Sequence, residues 1–139
     1  MSNTTAADGR RLDGKVALIT GGSRGIGFEC ARALRADGMT VMLLARDVDA
    51  LRNASDTLGR GVRYMSVDLS GDLAKASRDV RRELNGAPEI IVNNAAEFFV
   101  IPAEKTEVAD FERALRLNLT SHFALVRQEQ MADMFNRIT

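Results

Sequence analysis

The sequence predicts an α/β fold, a doubly wound parallel sheet with helices on both faces. Three observations carry this. Strand-like runs recur at Val16–Ile19, Val41–Leu44, Tyr64–Val67 and Ile90–Val92, the first two apolar throughout as in strands buried on both faces. Stretches with helical spacing separate them. A glycine-rich turn, Gly21–Gly27, follows the first run. Strands alternating with helices imply parallel pairing through right-handed crossovers.

Residues 1–13 read as a flexible N-terminal tail, and residues 14–139 as one partial α/β domain. After the first strand, Ile26, Cys30, Ala33 and Leu34 carry helical spacing, and Gly38 stops the helix. Val48, Leu51, Ser55 and Leu58 share a face of a second helix. Leu73, Ala76, Val80 and Leu84 mark a third, which closes near Gly86 and Pro88. Thr106 is the expected N-cap of one long last helix, with Asp110 in its first turn and Phe111, Leu115, Leu119, Phe123 and Val126 along it. The strand order expected is 3-2-1-4.

A chain of 139 residues holds one domain and one core. Hydrophobic residues are 45% and charged residues 27%, the balance of a soluble globular protein. Lys plus Arg equals Asp plus Glu, 19 of each, so no electrostatic footprint for nucleic acid or an anionic membrane is present. No apolar run is long enough to span a bilayer, and the polar start lacks an apolar signal core. Cys30 is the sole cysteine, which excludes an intrachain disulfide and a cysteine zinc cluster. A cytoplasmic location is expected, with no metal, nucleic-acid or membrane partner.

The first turn reads Thr20-Gly21-Gly22-Ser23-Arg24-Gly25-Ile26-Gly27. Glycine allows positive φ and close approach of a backbone to a ligand. The turn opens a helix whose first N–H groups have no internal partner, a ready anion site suited to a pyrophosphate. Gly21, Ser23, Arg24, Gly25, Ile26 and Gly27 are therefore candidate phosphate-binding residues.

This Thr-Gly-x-x-x-Gly-x-Gly spacing resembles the glycine motif of the short-chain dehydrogenase/reductase family. The resemblance continues through Asp68-Leu69 after the third strand, Asn93-Asn94-Ala95-Ala96 after the fourth, and Asn118 in the last helix, spanning Lys15 to about Arg127. One departure is Ala96, where the family usually has glycine. The resemblance implies a Rossmann-type dinucleotide-binding domain, truncated after the fourth strand and its following helix. The resemblance is to NADP-dependent 3-oxoacyl-reductase-like members. It implies hydride transfer between NADP(H) and a carbonyl or alcohol in a full-length parent. Asp68 and Leu69 would contact adenine, Asn94 would lie along the ribose, and Asn118 would be the catalytic-motif residue.

Choice of cofactor turns on the adenosine 2′ position. An acidic residue at the end of the second strand would bind a 2′-hydroxyl and repel a 2′-phosphate. Here Ala45 stands at the place of that acid, followed by Arg46, with Arg24 in the glycine turn. Two guanidinium groups suit a phosphate, which favours NADP(H). NAD(H) stays open if Asp47 points inward. Blander readings also stay open: Arg46 as a solvated strand-end charge, Asp68 as a turn residue, Asn118 as a packing amide. His122 has no ligating partners at metal spacing and reads as structural or exposed. Cys30 reads as a small apolar residue facing the sheet. Arg78 to Glu83 reads as a solvated helix face.

The family's general acid/base is a tyrosine with a lysine four residues later, assisted by a serine. The single tyrosine, Tyr64, is followed by Met65-Ser66-Val67-Asp68 and lacks that lysine. The chain by itself is therefore expected to be inactive. Alternatives are a non-catalytic nucleotide-binding module, pairing with a second copy or a full-length relative through the last helix, and a non-functional gene fragment.

Overall fold

The computed structural model describes residues 12–138. Residues 1–11, most of the expected tail, lie outside them, and Leu12 packs against the core. Four strands, β1 (Val16–Thr20), β2 (Thr40–Ala45), β3 (Val62–Ser66) and β4 (Ile90–Val92), form one sheet in the order β3-β2-β1-β4. Every pairing is parallel, and Leu18 of β1 lies in register between Met42 of β2 and Ile91 of β4. The helices are α1 (Gly25–Ala36), α2 (Val48–Leu58), α3 (Leu73–Leu84), α4 (Val108–Leu115) and α5 (Ser121–Ile138). A 3-10 turn spans Ala103–Lys105, and a π turn, Arg116–Thr120, joins α4 to α5.

Alternation along the strands builds two cores. Ala17, Ile19, Val41 and Leu43 face Ala31 of α1 and Leu51 and Ala54 of α2. Leu18, Met42 and Leu44 face Ala76 and Val80 of α3 and Leu125 of α5. A central strand buried on both faces has no polar side, which explains its unbroken apolar run.

Several expectations need correction. The third strand begins at Val62, earlier than its apolar run. In α1 the inward residues are Gly27 and Ala31, whereas Ile26 and Ala33 face out. Gly27 is drawn inward because its Cα packs on the Gly21 carbonyl and the Asn94 amide, which leaves no room for a Cβ. Val48 of α2 is exposed. The long last helix carries a π turn at Arg116–Thr120. Its buried line is Leu117, Ser121, Leu125 and Glu129, and the stripe Phe111, Leu115, Leu119 and Phe123 faces outward. The N-cap is Glu107, whose N–H donates to the Asp110 carboxylate at 3.4 Å. Thr106 instead donates its hydroxyl to the Pro102 carbonyl. Arg81 is not part of a solvated face: it donates to the Glu129 carbonyl at 3.0 Å and pairs with its carboxylate at 3.4 Å. Among the described residues no helix is long and apolar enough to cross a membrane, and no side-chain cluster suits a metal ion.

Candidate nucleotide-binding site

The candidate site lies at the C-terminal ends of the parallel strands. β1 ends at Thr20, a fully buried residue, and the chain turns at once through Gly21 at φ 64°. Gly21 N–H donates to the Leu44 carbonyl at the end of β2, at 2.7 Å, so the turn is fastened to the next strand. A side chain at Gly21 would be strained and would press on Ala95 and Asn94. Gly25, at φ 58°, opens α1.

The three helices that follow β1, β2 and β3 start differently. Asp47 caps α2 by accepting the Ala50 N–H at 3.0 Å, and Asp72 caps α3 by accepting the Lys75 N–H at 2.9 Å. The N-cap of α1 is Arg24, whose side chain caps nothing, and no acidic residue stands in its first turn. The first N–H groups of α1 thus lack a side-chain acceptor at the positive end of the helix dipole. That arrangement accepts an anion.

Asn94 follows β4 and spans back to β1. Its Nδ2 donates to the carbonyls of Thr20 at 3.2 Å and Gly21 at 3.1 Å. The Thr20 hydroxyl accepts the N–H groups of Asn94 and Ala95, both at 3.0 Å, and donates to Val92 at 3.4 Å. The Asn94 amide therefore braces the glycine turn. Ala96 does not adopt positive φ, since Asn85 is the one described non-glycine residue that does, so alanine is tolerated there.

Beyond Ala95 the connecting loop is held by the last helices. His122 Nε2 lies 2.8 Å from the Ala95 carbonyl, a structural role. Asn118 sits in the π turn and grips the main chain of Glu97 at both ends: Oδ1 accepts the Glu97 N–H at 2.8 Å and Nδ2 donates to its carbonyl at 2.7 Å. π turns often mark functional positions.

The remaining candidates lie around the rim. Arg46 is exposed just past β2, and its carbonyl accepts the Ser66 hydroxyl at 2.9 Å. Among the described residues no carboxylate pairs with Arg46 or Arg24. Arg24 and Ser23 line a shallow cavity of about 320 Å³ with Ala50, Asn53 and Thr57 of α2. Asp68 is exposed and accepts the Ser70 N–H at 2.9 Å, while the Leu69 side chain is buried at 6% exposure. Ile26 is exposed at the start of α1.

The family model for short chain dehydrogenases matches residues 15–137. The chain belongs to that family. Among curated short-chain dehydrogenase relatives, the rhamnolipids biosynthesis 3-oxoacyl-[acyl-carrier-protein] reductase of Pseudomonas aeruginosa is 34% identical over 120 residues. These are 84% of this chain and 47% of that protein. Galactitol 2-dehydrogenase of Agrobacterium fabrum is 35% identical over 111 residues, 78% of this chain and 43% of that protein. Two solved structures carry cofactors. The Pseudomonas aeruginosa RhlG/NADP active-site complex aligns with a TM-score of 0.78 at 32% identity, over 86% of this chain and 48% of that one. The 3-ketoacyl-(acyl-carrier-protein) reductase from Brucella melitensis complexed with NADH aligns with a TM-score of 0.76 at 28% identity, over 84% and 49%. The chain spans about half the length of the curated relatives it matches.

Two residues of this short-chain dehydrogenase fold escape recognition from sequence. Thr20 opens the glycine motif, yet the motif does not reveal it as the acceptor for the turn after the fourth strand. The signal available was a lone threonine ending an otherwise apolar strand. Glu97 carries no motif of its own, and its clamping by Asn118 joins positions 21 residues apart.

Proposed function

We propose that this chain binds NADP(H) in preference to NAD(H), as the cofactor-binding part of an oxidoreductase that interconverts a carbonyl and an alcohol. The observation that carries the preference is the end of β2. Ala45 offers no carboxylate, Arg46 stands exposed, and Asp47 is occupied in capping α2. The capping bond to the Ala50 N–H engages one oxygen of the Asp47 carboxylate, which supports this reading.

In this reading the N–H groups opening α1 bind the pyrophosphate, with Ser23 and Arg24 beside it. Arg46 binds the 2′-phosphate by charge-assisted hydrogen bonds. Asp68 and the main chain of Leu69 meet adenine, because the Leu69 side chain belongs to the core. Asn94 holds the glycine turn in shape next to the ribose. Asn118 fixes the loop that leads to the substrate side and is the single catalytic-motif residue here. The nicotinamide, when bound, supplies or accepts the hydride, and the protein positions it. A small carbonyl or alcohol substrate belongs to a full-length parent, since no Tyr-x-x-x-Lys occurs in these 139 residues. A single cysteine, and so no disulfide within the chain, fits a cytoplasmic location.

A second reading is a non-catalytic module that pairs with a second copy or a relative. The outward stripe Phe111, Leu115, Leu119 and Phe123 favours it.

Titration with NADPH and NADH, by calorimetry or by nicotinamide fluorescence, tests the proposal. One charge-assisted hydrogen bond contributes about 1.5–3 kcal/mol, so NADPH should bind about tenfold or more tightly, and Arg46→Asp should reverse the order. Equal affinities, or an unchanged order in Arg46→Asp, would overturn it.

A further inference from the structure

The segment after Ala96 is extended, and its side chains alternate. Glu97 and Phe99 are partly buried, whereas Phe98 and Val100 are 86% and 91% exposed. Both inward residues meet one side chain. Arg113 of α4 places Nε 3.4 Å from Glu97 Oε1, and its guanidinium carbon lies 6.0 Å from the centre of the Phe99 ring. The same guanidinium reaches the Asp110 carboxylate at 3.4 Å, which steadies it from its own helix. Glu97 is simultaneously held through its main chain by Asn118.

We propose that Arg113 is a positioning residue for this loop. It fixes which side chains point inward, and so presents Phe98 and Val100 as an apolar wall beyond the C-terminal end of β4. This rests on the proposed function, because the end of the parallel strands is where a doubly wound sheet places its ligand. Each contact alone is weak, since exposed ion pairs contribute little. Their force lies in arrangement. An ion pair and a cation–π contact from one planar group act on two residues of one extended segment. Losing Arg113 frees the 97–99 register without touching the glycine turn, whose hydrogen bonds come from Thr20 and Asn94.

The chain contains no tryptophan, so Phe98→Trp installs a single fluorescent reporter at an exposed position. In that background, Arg113→Ala should lower the anisotropy of the introduced indole, because the ordered loop becomes about two- to fivefold less populated. Arg113→Lys should restore part of it, because lysine keeps the charge but lacks the planar fork that reaches both residues at once. With NADPH bound, energy transfer from the indole to the nicotinamide should fall in Arg113→Ala while NADPH affinity stays unchanged. Identical anisotropy in the arginine, alanine and lysine proteins would overturn the proposal. So would a loss of NADPH affinity in Arg113→Ala equal to the loss of anisotropy, which would mark a general loss of structure. The anisotropy series needs no cofactor, so failure of NADPH to bind would count against the proposed function alone.

Discussion

Thr20 and Asn94 hold each other in both directions. The Thr20 hydroxyl accepts the Asn94 N–H at 3.0 Å, and Asn94 Nδ2 donates to the Thr20 carbonyl at 3.2 Å. The pair joins the ends of β1 and β4 at the point where the glycine turn departs. Thr20→Val keeps the shape but leaves two N–H groups, of Asn94 and Ala95, without an acceptor. An unsatisfied buried group costs about 1–3 kcal/mol. Thr20→Val should therefore unfold at lower urea and bind NADPH more weakly, whereas Thr20→Ser should keep both properties near the parent's. Equal midpoints for the valine and serine proteins would show that the hydroxyl carries nothing.

How much of this was legible beforehand follows from the range of each interaction. The central place of β1 and β2 was readable because a fully buried strand must be apolar throughout, as Ala17-Leu18-Ile19 and Val41 to Leu44 are. The glycine turn was readable because its conformation demands glycine at fixed positions. The inward face of the last helices was not. Apolar periodicity singles out Phe111, Leu115, Leu119 and Phe123, yet that stripe stays exposed and Leu117, Ser121, Leu125 and Glu129 face the core. An apolar stripe does not by itself say whether the core or a partner covers it. Glu129 was not legible for a second reason. Its partners, Ser77 and Arg81, lie 52 and 48 positions away, and no local pattern announces a buried carboxylate.

Glu129 yields a pH prediction. It is 3% exposed and accepts the Ser77 hydroxyl at 2.7 Å. Burial raises its carboxyl above the usual carboxylate range, while Ser77 and Arg81 pull it down without cancelling the effect. A folded pKa above the unfolded one gives stability that is present below the unfolded value and lost as pH rises through the folded value. The unfolded value is about 4.3. The stability of the parent relative to Glu129→Gln should therefore fall as pH rises from about 4 towards neutrality. Urea midpoints of both proteins across that range measure it. A relative stability that grows with pH would mean that the Arg81 ion pair outweighs burial.

Asp47 separates cap from cofactor. Its carboxylate accepts the Ala50 N–H, so Asp47→Ala should cost ~1 kcal/mol of stability through loss of the α2 cap. Asp47→Ser should recover most of that. Neither should alter the ratio of NADPH to NADH affinity by as much as tenfold. Selective loss of NADH binding in both variants would place the Asp47 carboxylate at the ribose instead.

The isolated chain should not reduce carbonyls with NADPH at an enzyme's ordinary rate. Asn118 is committed to the Glu97 main chain, and the sole tyrosine, Tyr64, lies on β3 with no lysine four residues on. General acid/base catalysis typically contributes about 10²–10⁴-fold, so only a trace rate should remain. Steady NADPH consumption with simple ketones and aldehydes, abolished in Arg46→Asp, would refute this.

The last prediction concerns assembly. Phe111, Leu115, Leu119 and Phe123 recur every fourth residue through α4, the π turn and the start of α5, and all are exposed, Phe123 at 70%. Val108 extends the stripe by a turn, and it too is exposed. An exposed apolar strip of this kind marks an interaction surface or an aggregation liability. β4 adds a second driving force, because Ile90–Val92 pairs with β1 on one side and with no other strand among the described residues. Burial contributes about 25 cal/mol per Å², so covering two aromatic rings and two leucines would offset much of the entropy of association. Sedimentation over a range of concentrations should show dimers or larger species. Leu119→Glu with Phe123→Lys should shift the population toward monomer and leave the urea midpoint of the monomer close to the parent's, since neither side chain belongs to either core. A parent that stays monomeric and cooperative at every concentration would show that the stripe drives no association.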